Sequence, residues 1–307
     1  MDSIEIVEVG PRDGLQNIAT TVPTDIKIQL IHALVDSGYK RMEIGSFVSP
    51  KAIPQMADMD EVVRGLRPMP GVMGMALVPN SKGARRAIDA GVMDLEMVIS
   101  MSTSHNESNV GRPTEESITD LEYLLQDVDP DNKLFLRIGL ATSFHCPFEG
   151  LTDDAVVLRN IERMLKFRPN LEFALSDTTG LASPDRVKSL ATQALAQFGD
   201  DANFIFHGHD TAGFGLANVL ACIDAGIRSF DASVAGLGGC PFAPGATGNI
   251  ASEDLVYLMH RLGIQTGIDL EKLLDAGDII EAVPGVSGTG HARKLPRERA
   301  LEYSVAA

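Results

Sequence analysis

Two histidines separated by one residue, in the run Phe206-His207-Gly208-His209-Asp210, are the strongest pointer to chemistry in this chain. On an extended segment the side chains at i and i+2 leave the same face, so His207 and His209 can both reach one metal ion. A lone histidine is ordinarily a packed or surface residue; a same-face pair at the end of an apolar run points to metal binding. Other polar groups stand after other apolar runs. Gly10-Pro11-Arg12-Asp13-Gly14 sets the Asp13 carboxylate beside the Arg12 guanidinium on a glycine-bounded turn. Taken alone, that pair reads as a surface ion pair, but an inward Glu43, near the end of the second apolar run, would pair with Arg12. Asn249 closes a glycine-rich stretch that begins at Gly236 and carries Cys240. Glycine at this density gives a loop that can close over a ligand. The amide oxygen of Asn249, expected to open a helix beside Glu253, can then complete a metal shell. Asp13, His207, His209 and Asn249 form a mixed oxygen and nitrogen set with positions left for water or substrate; it suits Mg²⁺ or Mn²⁺ and is also compatible with Zn²⁺.

The elements that must position these groups alternate between short β-branched runs and longer helical periods, the pattern of repeated βα units. Strands are expected at 4–9, 41–45, 72–77, 94–99, 134–141, 172–176, 203–206 and 229–232. Helices are expected at 24–37, 81–90, 115–126, 153–166, 183–198, 215–225 and 249–262, with Thr24, Ser81 and Ser183 as capping residues. Eight such units predict a (β/α)8 TIM barrel, an α/β fold whose catalytic groups sit at the C-terminal ends of its strands. The singled-out residues fall there. An open doubly wound sheet is the alternative, but no Gly-x-Gly-x-x-Gly follows the first strand. At 307 residues the chain reads as one catalytic domain, with the barrel at about 1–265 and a short C-terminal helical extension at about 266–307. A helical stretch at 270–276 precedes a Gly/Pro/Ser-rich segment, and the basic end with Arg293, Lys294, Arg297 and Arg299 is expected on the surface.

Composition excludes several classes. Acidic residues number 42 against 26 Lys and Arg, a formal charge of −16, which argues against nucleic acid or an anionic membrane as partner. No apolar run approaches the ~20 residues that cross a bilayer. The first strand begins almost at once, without a targeting pattern, so a cytoplasmic protein is expected. Three cysteines, Cys146, Cys222 and Cys240, at no metal-finger spacing, fit a reducing compartment.

Several stretches together resemble the 3-hydroxy-3-methylglutaryl-CoA lyase branch of the DRE-TIM metallolyases. They are residues 7–17, Ser46-Phe47-Val48-Ser49-Pro50-Lys51, Pro54-Gln55-Met56, Cys146-Pro147-Phe148-Glu149-Gly150, Ser176-Asp177-Thr178, His207-Gly208-His209-Asp210 and the run from Gly236 to Asn249. The resemblance runs from residue 4 to about 276, and the glycine-cysteine loop separates these lyases from the related synthases. It implies a divalent cation on Asp13, His207, His209 and Asn249, and retro-Claisen cleavage of an acyl-CoA to acetyl-CoA and a keto acid. Arg12, held by Glu43, would stabilise the thioester enolate, and His207 and Cys240 would transfer protons. Gln16, Ser46, Asp177, Thr178 and Gly139 would line the substrate. A homodimer or higher homo-oligomer is the implied assembly.

The chain departs from that pattern in places. Ile18-Ala19 replaces an acid and a lysine, Gly139 stands where an aromatic is usual, and Gly45 replaces a bulkier hydroxyl residue. Two glycines in place of larger groups suggest a roomier acyl pocket, hence a substrate bulkier than hydroxymethylglutaryl-CoA or different from it, such as citramalyl-CoA. His145, Tyr123 and Ser102-Thr103-Ser104-His105-Asn106 look individual to this chain; they could line the altered pocket, with a surface role expected for any one of them. The rival functions are a condensing acyl-CoA synthase of the same superfamily and a catalytically silent barrel.

Overall fold

The computed structural model describes residues 3–239 and 248–302. Ten strands occur among the described residues: β1 (Glu5–Glu8), β2 (Arg41–Ser46), β3 (Met73–Val78), β4 (Asp94–Ser100), β5 (Phe135–Ala141), β6 (His145–Cys146), β7 (Gly150–Leu151), β8 (Glu172–Asp177), β9 (Asn203–Gly208) and β10 (Ser229–Ala232). The short β6 and β7 pair only with each other, antiparallel. The other eight close into a barrel in the order β1-β10-β9-β8-β5-β4-β3-β2. All eight expected strands are present, with no end shifted by more than two residues. Several extend further at their C-terminal ends, which puts Ser46, Asp177 and both His207 and Gly208 on strands. β2 and β8 are buried along their whole length, as strands must be when helices cover one face of a barrel and side chains fill the other. No described helix is long and apolar enough to cross a membrane.

The chain divides into two compact units. The first takes in Met1–Met75, Ser229–Pro241 and Thr247–Ala307. In it β1 pairs in parallel with β10, Glu5 opposite Ser229 through Glu8 opposite Ala232, and meets β2 at Met42. The helix Thr24–Asp36 buries Leu30, Ile31 and Leu34 and packs on the helix Leu270–Glu281, which buries Leu273, Leu274 and Ile280. Each such side chain contributes roughly 1.5–3 kcal/mol of transfer free energy. A short helix, Met59–Gly65, was not expected, its two turns being too brief for a clear apolar period. The helix after Asn249 begins at Ser252 rather than at 249, so Asn249 lies ahead of it on extended chain.

Two expectations about the basic end and the caps are corrected. Arg293 is not a surface residue: its guanidinium is folded in, donating to Leu274 O at 2.8 Å, Glu281 Oε2 at 3.0 Å and Asp278 Oδ1 at 2.7 Å. Thr24 and Ser81 are the first residues of their helices and not their caps. Thr24 Oγ1 donates to Asp58 at 2.7 Å and Ser81 Oγ to Asp120 at 2.6 Å, while Asn80 caps by accepting the Gly83 N–H. Ser183 does stand at the cap position before Pro184, without a side-chain cap bond.

The second unit, built on Ala76–Arg228, carries β4, β5, β8 and β9 in continuous parallel register. Residues in register on neighbouring strands form layers. Glu96, Arg137 and Glu172 make one; Val98, Gly139, Ala174 and Ile205 the next; Ser176 and His207 lie in register two residues further along. The helix Thr103–Val110, also not expected, turns His105 and Asn106 of the supposed surface stretch inward, while Thr103 stays exposed. His105 is 2% and Asn106 0% exposed, with Ser100 Oγ 2.7 Å from His105 Nδ1 and Asn106 Oδ1 accepting the Ser100 N–H. Tyr123 does lie on the surface, under the Arg85 guanidinium.

Candidate active site

The turn after β1 is wound tightly because three successive N–H groups, of Arg12, Asp13 and Gly14, converge on the single carbonyl of Val9. Pro11 supplies a fixed φ inside this turn and has no N–H to leave unpaired. The winding turns both Arg12 and Asp13 inward, at 6% and 8% exposure. Arg12 Nε donates to Glu43 Oε2 at 2.5 Å, and Arg12 Nη1 to Asp13 Oδ1 at 2.7 Å. The expected pairing of Glu43 with Arg12 is therefore present. Breaking a buried pair of this kind typically costs about 3–5 kcal/mol, because the partner's charge stays buried.

Asn249 joins the same group. Its Nδ2 donates to Asp13 Oδ2 at 2.8 Å and to Leu237 O at 3.0 Å. With both donor hydrogens committed, Oδ1 is left buried without a hydrogen-bond partner. An unsatisfied buried acceptor costs roughly 1–3 kcal/mol, so the site favours an electrophile at that oxygen.

At the end of β9, the imidazoles of His207 and His209 stand with ring centroids 5.3 Å apart. One ligand atom from each of Asp13, His207 and His209 lies within 4.8 Å of the other two. The donor types and the orphaned Asn249 oxygen fit a hard divalent cation. In register with His207, Ser176 leads into Asp177, whose carboxylate accepts the N–H groups of Leu181 and Ala182 at 3.2 and 3.1 Å. Burial pushes Asp177 up to about 6, against the lowering effect of those N–H groups and of His207. Thr178 Oγ1 accepts the N–H of Thr142, securing a residue at φ 57°. Ser46 is fully buried with no hydrogen-bond partner for Oγ, and Gln16 is half-buried. Cys240 lies outside the described residues.

Residues 3–280 match the HMGL-like family. The chain belongs to that family. Mitochondrial hydroxymethylglutaryl-CoA lyase of Rattus norvegicus is 41% identical over 277 residues, 90% of this chain and 84% of that one. Hydroxymethylglutaryl-CoA lyase of Bacillus subtilis (strain 168) is 41% identical over 283 residues, 92% of this chain and 93% of its own length. The structure of an HMG-CoA lyase from Acenitobacter baumannii, in complex with coenzyme A and 3-methylmalate, matches with a TM-score of 0.90 at 41% identity, covering 95% of each chain.

In this HMGL-like chain the expectation of a roomier acyl pocket is corrected. A Cβ at Gly139 would meet Glu96 Oε1 at 2.6 Å and the Val98 side chain at 3.2 Å. Glu96, bonded to Arg137 from the layer below, occupies the room that the missing side chain leaves. At Gly45 the Met59 thioether takes the same part. Neither glycine opens space for a larger acyl group.

Two carboxylates of the HMGL-like chain have a role that the sequence did not assign them. Glu8 is fully buried: Oε1 accepts the N–H groups of Gly10 and Val234 at 2.7 and 2.8 Å, and Oε2 accepts from Ser252 Oγ at 2.7 Å. It ties the Arg12–Asp13 turn to the two segments flanking Asn249. Burial pushes it up to about 7. Glu253, also fully buried, accepts the Ala235 N–H on both oxygens and is pushed up to about 8 by burial, with Arg293 pulling the other way. For Glu8 the available signal was a carboxylate between Val7 and Val9; Glu253, flanked by Ser252 and Asp254, carried none. Gln55 has a holding role that its motif alone does not show; its Nε2 donates to Ile18 O and Thr20 O at 2.5 and 2.7 Å, fixing the chain after the turn that carries Arg12 and Asp13.

Proposed function

We propose that this chain is a divalent-cation-dependent carbon–carbon lyase that cleaves 3-hydroxy-3-methylglutaryl-CoA to acetyl-CoA and acetoacetate. The observation that carries the reading is the convergence of Asp13, His207 and His209, ligand atoms within 4.8 Å, with the unpartnered Oδ1 of Asn249. Those four side chains would hold Mg²⁺ or Mn²⁺. When bound, the cation would supply Lewis-acid polarisation of the substrate and help to orient it.

The rest falls to the chain's own groups. Removal of the proton from the tertiary hydroxyl lets its oxygen electrons form the new ketone as the C2–C3 bond breaks. The bonding pair stays on C2 as the enolate of acetyl-CoA, and a proton delivered to C2 completes the products. Arg12 would stabilise the negative charge that grows on the thioester oxygen. Clamped by Glu43 and Asp13 at 2.5 and 2.7 Å, it needs no reorganisation as that charge appears. His207 and Cys240 are the two proton carriers of this reading, one at the hydroxyl and one at C2. Ser46 Oγ, buried without a protein partner, suits a substrate contact, and Gln16 and Thr178 join it. Asp177 would hold the turn that presents Thr178.

Incubation of purified protein with Mg²⁺ or Mn²⁺ and a panel of 3-hydroxyacyl-CoA thioesters tests the reading, with acetyl-CoA and acetoacetate quantified separately. The methyl substrate is expected to turn over best, because Glu96 and Met59 fill the glycine spaces. No acetyl-CoA from any member of the panel would overturn the lyase assignment. Net consumption of acetyl-CoA with a keto acid would support the synthase instead. The reading also includes a homodimer resident in the cytoplasm, tested by light scattering and by cell fractionation.

A further inference from the structure

The family match ends at residue 280, yet the chain beyond it is bound into the site's framework. The segment Gly288–Arg293 lies against the turn Val234–Gly236 that opens the glycine-rich stretch. Thr289 N–H donates to Ala235 O at 2.8 Å, Gly290 N–H to the same oxygen at 3.4 Å, and Thr289 Oγ1 to Gly236 O at 3.0 Å. No side chain fits at Gly236, because Thr289 Oγ1 already stands where its Cβ would be. Ala235 sits at φ 58°, a left-handed conformation that non-glycine residues rarely hold. It is fixed from both sides: its N–H goes to Glu253 and its carbonyl to Thr289.

The segment is anchored in turn to two helices. Gly288 N–H donates to Glu281 Oε1 at 2.7 Å; the N–H groups of His291 and Ala292 go to Asp254 at 2.8 and 2.6 Å. Arg293 reaches Glu253 at 3.4 Å as well as Asp278, Glu281 and Leu274 O. One residue past the braced turn is Leu237, and Leu237 O accepts from Asn249 Nδ2 at 3.0 Å. That bond helps decide which way the Asn249 amide faces, and so where its free Oδ1 points.

We infer that Thr289, with Arg293 behind it, is a positioning residue for the cation site, acting through Ala235, Gly236 and the Leu237 carbonyl on the orientation of Asn249. The inference rests on the cation site proposed above. It gives the C-terminal segment a part in function that the family match does not assign.

The test compares wild type with Thr289→Val, which keeps the shape and backbone N–H but loses the hydroxyl donor, and with Thr289→Ser, which keeps that donor. Mn²⁺ affinity is read by electron paramagnetic resonance, kcat and KM with 3-hydroxy-3-methylglutaryl-CoA, and folding by the melting point of the metal-free protein. For T289V the Mn²⁺ Kd is expected to rise about fivefold, the equivalent of one net hydrogen bond. The kcat should fall with it, KM should change little, and T289S should restore both. A T289V protein that binds Mn²⁺ as tightly as wild type overturns the inference while leaving the cation site intact. Equal loss in T289V and T289S, tracking a lowered metal-free melting point, also overturns it by making the effect one of folding. Wild-type protein that fails to bind Mn²⁺ overturns the underlying site and this inference together.

Discussion

Asn249 Nδ2 donates to Asp13 Oδ2 at 2.8 Å, so a buried amide and a buried carboxylate 236 residues apart are locked together while the amide oxygen stays unpartnered. The bond preorganises two of the four groups assigned to the cation.

Asn249→Ala should therefore remove one ligand and loosen another. The Mn²⁺ Kd, measured by titration calorimetry, is expected to rise at least about tenfold, in the range seen when groups that orient metal ligands are lost. Chelation of the wild type should abolish acetyl-CoA release and added Mn²⁺ should restore it. Unchanged affinity in the alanine variant would remove Asn249 from the ligand set.

Arg12 is placed to act on a charge that exists only during the reaction. For Arg12→Gln, kcat is expected to fall about 10²- to 10³-fold, with Mn²⁺ affinity and KM little changed. A loss confined to KM would mean that Arg12 binds the substrate rather than stabilising the enolate.

At Gly139 the expected outcome is steric. Gly139→Ala puts a methyl group 2.6 Å from Glu96 Oε1. Overpacking of this kind costs about 1–3 kcal/mol, to be read as a lower midpoint in denaturant unfolding. A neutral substitution would show that the Glu96–Arg137 pair yields easily and would reopen the case for a larger pocket.

Glu8 gives a pH dependence with a definite sign. Its carboxyl is pushed up to about 7 from the ordinary 4.5 by burial. Between those two values the folded chain keeps a proton that the unfolded chain has released. The contribution of this proton to stability is fully present below the unfolded value and is lost as pH rises through 7. The whole span is on the order of 3 kcal/mol. Metal-free wild type should therefore lose stability relative to Glu8→Gln as pH is raised across that window, followed by urea unfolding at about pH 5, 6.5 and 8. A constant difference between the two proteins at all three values would contradict the assignment.

What could be read in the sequence, and what could not, follows the range of the interactions. The His207-Gly208-His209 spacing needs only the period of a strand to put two imidazoles on one face, so the metal reading was available from three residues. The Arg12–Glu43 pair was legible because an inward carboxylate near the end of β2 comes within reach of a guanidinium on the turn that follows the neighbouring β1. Glu8 and Glu253 were not, since a carboxylate looks the same in the sequence whether water or a group of N–H donors satisfies it. Gly139 misled for a related reason: a glycine reports the absence of its own side chain and says nothing about the neighbour that enters the space. Ser81 was mistaken for a cap because Asn80, one residue earlier, has the same chemistry and only the backbone angles choose between them.

Ala235, at φ 58°, stores about 1–2 kcal/mol of backbone strain. Both oxygens of Glu253 and the N–H groups of Thr289 and Gly290 hold that residue like a cocked spring under a catch. Whatever frees Thr289 would relieve that strain only by giving up the bonds that hold Ala235 and Gly236, and with them the orientation handed on through Leu237 to Asn249.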